Sequence, residues 1–403
     1  MSAPQTTAPP SARLVSIDCL RGAAVLGVVA THAFHHGRFD EIEAAWFRLL
    51  HTAISAATFY PLLFVVSGFC IHLPWARRRA ANADAPLAFG AFLHRRLRRT
   101  YPPYIVALGL SGLAVLVAWA LEVQVEIVYR YPEPQLSWIG LDFLLHATLL
   151  HGFWSFFDLG AGNPPLWTLA RLEYLYLLYF VALGWRRRFG LPTTIGAVFV
   201  VAAGLPLVGW VLLRAAPIPS VWQDRALHLV AFETSAIALW FQWCLGMVAA
   251  ERYAGLIRLP VWCRQTGVGL LWLAAALHAD AQTWRAVSPT LWGMAFFTLV
   301  NALVAREELG TPWNPAATGW LVRVGAVSYS LYLVHSPLIG VMNQALARVV
   351  GPDSPLLLHP VWHLGMSTVI VGLACAAGFA YFLVVERRFL NSPLQLRRAL
   401  GRR

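Results

Sequence analysis

Two side chains near the start of the chain could do chemistry together. Arg21 and His32 stand eleven residues apart in the apolar run 16–36, SIDCLRGAAVLGVVATHAFHH. On an α-helix that spacing is just over three turns, so both project from one face, roughly 16 Å apart along the axis. An imidazole titrates near neutrality and can take or give a proton. A guanidinium keeps its proton and serves as an anchor for phosphate or carboxylate. Asp18 lies about one turn before Arg21 on that face, within reach to pair with it. In a membrane-length apolar helix such groups are costly unless they line a cavity or a bundle interior. That placement makes the run a candidate active-site helix. The plain alternative is that Arg21 snorkels at a span end and His32 is interfacial. His35 and His36 fall beyond the span and read as solvated.

The elements that must position this pair are membrane helices. Of 403 residues 58% are hydrophobic and 12% charged, half the charge of an ordinary soluble domain, about 25%. The fold class expected is all-α, a polytopic membrane helical bundle. The net charge is +12, and all 31 basic residues are arginine. In such a chain basic charge marks cytoplasmic loops rather than nucleic-acid binding. The cysteines at 19, 70, 244, 263 and 375 are scattered without a CxxC, so neither a disulfide framework nor a metal site is expected. Residues 1–13 read as a disordered tail and not a signal peptide, since no basic region precedes an apolar core with a cleavage site.

Apolar runs of about 20 residues give ten candidate spans: roughly 14–34, 52–73, 101–121, 165–184, 193–213, 231–250, 265–280, 288–305, 323–345 and 361–385. With both termini cytoplasmic, the inside segments carry 21 arginines and the outside segments seven, as the positive-inside rule asks. An eleventh span at 139–156 would put the cluster Arg186, Arg187 and Arg188 outside. That segment is therefore expected to be an exofacial interfacial helix or a re-entrant piece. One transmembrane domain over 14–390 is expected, with a basic cytoplasmic tail at 391–403, in the inner (plasma) membrane. Trp138, Trp154, Trp222, Trp284 and Trp362 near span ends fit an aromatic belt.

Several stretches, in order, resemble the acyltransferase-3 family of membrane acyltransferases. The run IDCLRGAAVLGVVATHAF is similar to its opening helix, whose Arg and His are separated by ten residues. Residues 64–69, FVVSGF, resemble "FFVLSGF". Residues 95–102, RRLRRTYP, resemble "RRLRRIYP". Residues 328–335, SYSLYLVH, resemble "SYSLYLWH". Residues 165–176 are more loosely similar to "PLWSLSVEEQFY", and the closing ERRF at 386–389 to "ERPF". The likeness runs from about 14 to 390. One departure stands out: Leu172 takes the place of the family's glutamate, Glu173 falls one position later, and Arg171 replaces an apolar residue. One residue is about 100° around a helix. Arg171 and Glu173 therefore either flank a face that reads substrate or pair with buried polar groups.

The resemblance implies transfer of an acyl group, most simply acetyl, from cytoplasmic acyl-CoA to a hydroxyl of a membrane-associated or extracytoplasmic glycan or glycoside. No tightly bound cofactor is expected; acyl-CoA is the co-substrate. His32 is the candidate base, or else a transient acyl carrier, and Arg21 the donor anchor. Arg95, Arg96, Arg98 and Arg99 would hold the donor's phosphates through bidentate contacts, unless they only anchor the helix end. Ser67 with Gly68 reads as close helix packing. Ser328, Tyr332 and His335 share one helical face and either line the cavity or tie helices together. The rival class is a transporter or flippase for a glycolipid or small anionic solute, which also carries intramembrane charge. The repeated, Gly/Pro-broken halves common in transporters are not visible here.

Overall fold

The computed structural model describes residues 14–35, 41–54, 56–82, 87–120, 136–154, 157–215, 234–281, 287–310, 314–351 and 354–390. The expected tails, 1–13 and 391–403, lie outside them. Among the described residues the chain is helical and contains no strand. The helices are α1 (Val15–Phe34), α2 (Ala45–Ala53), α3 (Ala56–Ala80), α4 (Phe89–Ala120), α5 (Leu136–Ala147), α6 (Trp167–Phe189), α7 (Leu191–Ala215), α8 (Ala236–Tyr253), α9 (Thr266–Ala281), α10 (Ser288–Glu308), α11 (Pro315–Ala326), α12 (Ser328–Val350) and α13 (Pro360–Val384).

Seven described helices are long and apolar enough to cross a membrane, and an eighth crossing results if the bent pair of α11 and α12 is one span. This is an integral membrane protein. The ten expected spans map onto these helices plus α8 and α9, which have only 18 and 16 residues. Polar Gln242, Glu251 and Arg252 dilute α8. It is buried along most of its length, so protein rather than lipid surrounds it. Among the described residues of 139–156 no helix is long enough to cross a membrane. α5 has 12 residues, about 18 Å at 1.5 Å per residue, and ends in a turn with Leu149 at φ 59°.

Close approaches at glycines set the core. α3 crosses α8 where Gly68 and Gly246 meet. A Cβ at 246 would stand 2.0 Å from the Val65 carbonyl oxygen and 2.6 Å from the Phe69 nitrogen. Both are backbone atoms and cannot rotate away. The expectation of close packing at Ser67-Gly68 thus holds. Gly246→Ala must push two helices apart, costing at least the ~1–3 kcal/mol of an overpacked interior. The check is thermal unfolding of the detergent-solubilised protein, with Gly184→Ala, where nothing lies within 4 Å, expected to be neutral.

α1 is seated in the same way. Gly22 and Gly325 let its first turns press on α11, with a Cβ at 325 only 2.1 Å from the Asp18 carbonyl oxygen. The start of α1 has free backbone N–H groups, and Glu307 of α10 takes them. Its carboxylate accepts from Val15 N (2.8 Å), Ser16 N (2.9 Å) and Ser16 Oγ (2.6 Å). An acid at a helix N-terminus also complements the helix dipole.

Candidate active site

The stripe carrying Arg21 and His32 faces α12. Arg21 Nη2 donates to Ser328 Oγ at 3.0 Å. The His32 ring lies 5.2 Å from that of His335, tilted by 50°. The Arg21 and His32 side chains are half-buried, and His335 is fully buried. The two helices run in the same direction here, so one pair marks each end of a shared face.

Ser328 can meet Arg21 because the chain breaks just before it. α11 and α12 are bent by 79° at Val327, so a new helix N-terminus begins inside the bundle. Its unsatisfied N–H groups attract an anion. Glu386, 1% exposed, fills that role, accepting from Ser330 N (3.1 Å) and Ser330 Oγ (2.5 Å). Arg99 of α4 lies in the field of Arg21, Arg96 and Glu386. Cys70 of α3 lies in the field of Arg21, Asp18, Arg96 and Arg99. One charged neighbourhood therefore gathers side chains from α1, α4 and the segment after α13.

The arginine run of α4 divides by helical phase. Arg96 and Arg99, three residues apart, are partly buried and turn inward; Arg96 also sits over the Phe92 ring at 5.5 Å. Arg95 and Arg98 are exposed on the other side. Glu173 does reach this neighbourhood despite its shifted position. Its Oε1 accepts from Thr100 Oγ1 at 3.2 Å, while its Oε2 is buried without a hydrogen-bond partner. Tyr329 donates to the Thr100 carbonyl at 2.6 Å. Ser67 accepts from Trp243 Nε1 at 3.3 Å and lies within reach of the Tyr176 hydroxyl. Asp18 is half-buried on the first turns of α1. Sequence reasoning assigned no role to Glu386, Tyr176, Thr100 or Tyr329. The ERRF stretch was the signal for Glu386, but nothing in it tells which helix end the acid would cap.

Three expected site residues go different ways. Arg171 is 1% exposed, and its guanidinium is consumed by the fold. Nη2 donates to Asp158 Oδ2 (2.8 Å), Nε to the Thr234 carbonyl (2.8 Å) and Nη1 to the Gly152 carbonyl (3.1 Å). Arg171 therefore pairs with buried polar groups rather than reading substrate, because each of its three nitrogens donates to a protein oxygen. Tyr332 is likewise glue: its hydroxyl accepts from Thr168 Oγ1 (2.6 Å) and donates to the Pro165 carbonyl (2.9 Å). His335 is different. Its Nδ1 donates to the Tyr332 carbonyl at 2.8 Å, which leaves a lone pair on Nε2. That atom is buried with no partner, beside His32.

The described residues of 136–166 form a polar wedge against α4, where Tyr101 and Tyr104 donate to the carbonyls of Ala147 (2.6 Å) and His146 (2.8 Å). Asp142 pairs with His146 Nδ1 at 2.9 Å, and the His146 and His151 rings stack 3.7 Å apart at 4°. Asn163 Nδ2 donates to the Leu333 carbonyl at 2.8 Å, tying the wedge to α12 two residues before His335. Burial lowers the His151 pKa from 6.5 to about 2, and burial raises that of Asp158 from 3.8 to about 6. Folded His151 stays neutral while the unfolded chain takes up a proton below pH 6.5, so its stabilising effect is full at pH 7 and fades as pH falls. Asp158 has the opposite sign, because the folded state binds its proton more tightly and gains as pH falls through 6. The two effects offset each other between about pH 4 and 6. Removing one exposes the other: His151→Asn, relative to the parent, should gain roughly 1–2 kcal/mol on going from pH 7 to pH 5. Thermal unfolding at both pH values measures it, and an unchanged difference would refute it.

The geometry agrees with comparison. A family model described as an acyltransferase domain matches residues 14–385. No curated protein and no solved structure matches the chain. The matched span takes in Arg21 and His32 on α1, the inward arginines of α4, the Glu173 helix and the broken pair of α11 and α12. With nearly its whole length covered by that model, the chain belongs to the acyltransferase-3 family of membrane acyltransferases.

Proposed function

We propose that this membrane acyltransferase moves an acyl group, most simply acetyl, from acyl-CoA to a hydroxyl of a glycan or glycoside on the far side of the membrane. The observation that carries the reading is the shared stripe of α1. An arginine at one end sits among further cations, Arg96 and Arg99. A histidine at the other end sits against a second imidazole.

Arg21, Arg96 and Arg99 hold the phosphates of the donor, and the extended pantetheine arm reaches along the stripe toward His32. Neutral His32 takes the proton of the acceptor hydroxyl as its oxygen attacks the thioester carbonyl. The tetrahedral intermediate collapses with loss of the carbon–sulfur bond. The proton passes from the imidazolium to the departing thiolate, so atoms and charge balance.

Membranes holding the protein, supplied with labelled acetyl-CoA and glycan acceptors, should form a labelled, alkali-labile ester. Mass spectrometry of surface glycans from cells with and without the gene should show the lost acyl mass and its size. Labelled acyl-CoA that is never consumed, together with unchanged surface glycans, would refute the reading.

A further inference from the structure

We propose that the arginine-rich end of the bundle carries a second anion site, built by Arg252, Arg258 and Arg264, that holds the phosphate headgroup of an anionic glycerophospholipid. These arginines recur every sixth residue, starting from the last turn of α8. The chain turns so that they converge. Helix α8 ends with Leu256 N donating to the Glu251 carbonyl at 3.0 Å. Gly255 takes φ +78° there, the left-handed value that closes a helix cheaply for glycine. The next residues fold back into a 3-10 turn, Val261–Arg264.

A cavity of about 220 Å³ lies between that turn and α10, lined by all three arginines with Cys263 and Asn301 at its floor. Asn301 is 2% exposed. Among the described residues no acid lines the cavity, and Glu308 stands beside it, 2.6 Å from Arg252 Nη1, leaving three guanidiniums against that carboxylate. The neighbouring Glu251 is already bound to His72 and Arg186. Arg258 and Arg264 are exposed at the rim.

The occupant follows from size and surroundings. Pockets for drug-sized ligands run from about 300 Å³ upward, so this one suits a headgroup rather than a nucleotide. Val261 and Trp262 on the same turn are 60% and 41% exposed, as expected of residues that meet a bilayer interface. Basic pockets at that depth suit acidic lipid headgroups. The elements involved, α8 and α10, differ from those that gather Arg21, Arg96, Arg99 and Glu386, so the site does not depend on the catalytic proposal.

Native mass spectrometry of the full detergent-solubilised chain tests it, with phosphatidylglycerol, phosphatidylcholine and inorganic phosphate as probes. Phosphatidylglycerol should be retained over phosphatidylcholine. The double variant Arg258→Gln/Arg264→Gln should lower that retention by about tenfold or more. Arg187→Gln/Arg188→Gln, which removes the same charge from exposed positions at the same end, should leave it unchanged. The single Arg258→Gln serves if the double variant fails to fold. Equal retention of the two lipids, an equal loss in the control, or stronger binding of inorganic phosphate than of the lipid would overturn the proposal.

Discussion

His32→Ala should lower acyl transfer by about 10²–10⁴-fold, the range typical of a lost general base, while leaving the fold intact. The ring is half-buried on a helix whose packing rests on Gly22, Ala24, Val25 and Val29, so removing it costs little in contact. His335 keeps its Nδ1 on the Tyr332 carbonyl and its Nε2 buried, so the His335→Ala variant measured alongside tells the two imidazoles apart. The measurement is the initial rate with labelled acyl-CoA, normalised to folded protein. Full retention of rate would end the assignment of His32 as the base. A variant that still binds donor but forms no ester is the result expected.

Arg171→Met should cost about 3–5 kcal/mol of stability, as when one partner of a buried ion pair is removed. It strands the Asp158 carboxylate, 4% exposed, and frees the carbonyls of Thr234 and Gly152. Neutralising the acid as well, in Arg171→Met/Asp158→Leu, should recover much of the loss, since two apolar groups replace a buried pair more cheaply than one orphaned charge. Thermal unfolding in detergent reads both. Transfer per folded molecule should stay near the parent value. A stable Arg171→Met protein that has lost transfer would instead make Arg171 a substrate contact.

The legible and illegible parts of the site differ in range. The Arg21–His32 stripe depends on one helix and a period of 3.6 residues, so spacing alone was enough to place both on a common face. Glycine packing at Gly68 was legible for the same local reason. The contact of Arg21 with Ser328 joins residues 307 apart, and no periodicity encodes it. The break at Val327 was hidden because it falls inside one largely apolar run with no proline to mark it. The fate of Arg171 was equally hidden, since its partners come from loops before α6 and before α8. Within the α4 run the inward phase of Arg96 and Arg99 was set by which face of α4 met the bundle.

Composition and short-range pattern alone made this chain a helical membrane protein with an arginine and a histidine on one stripe, because lipid solvation and helical geometry act on each segment separately. Only the tertiary structure decided which helix that stripe would face, that Glu386 would cap a helix end inside the bundle, and that Arg171 would serve the fold. Those outcomes depend on the pairing of charges and free backbone groups from distant segments, whose burial is tolerable only once the partners have met.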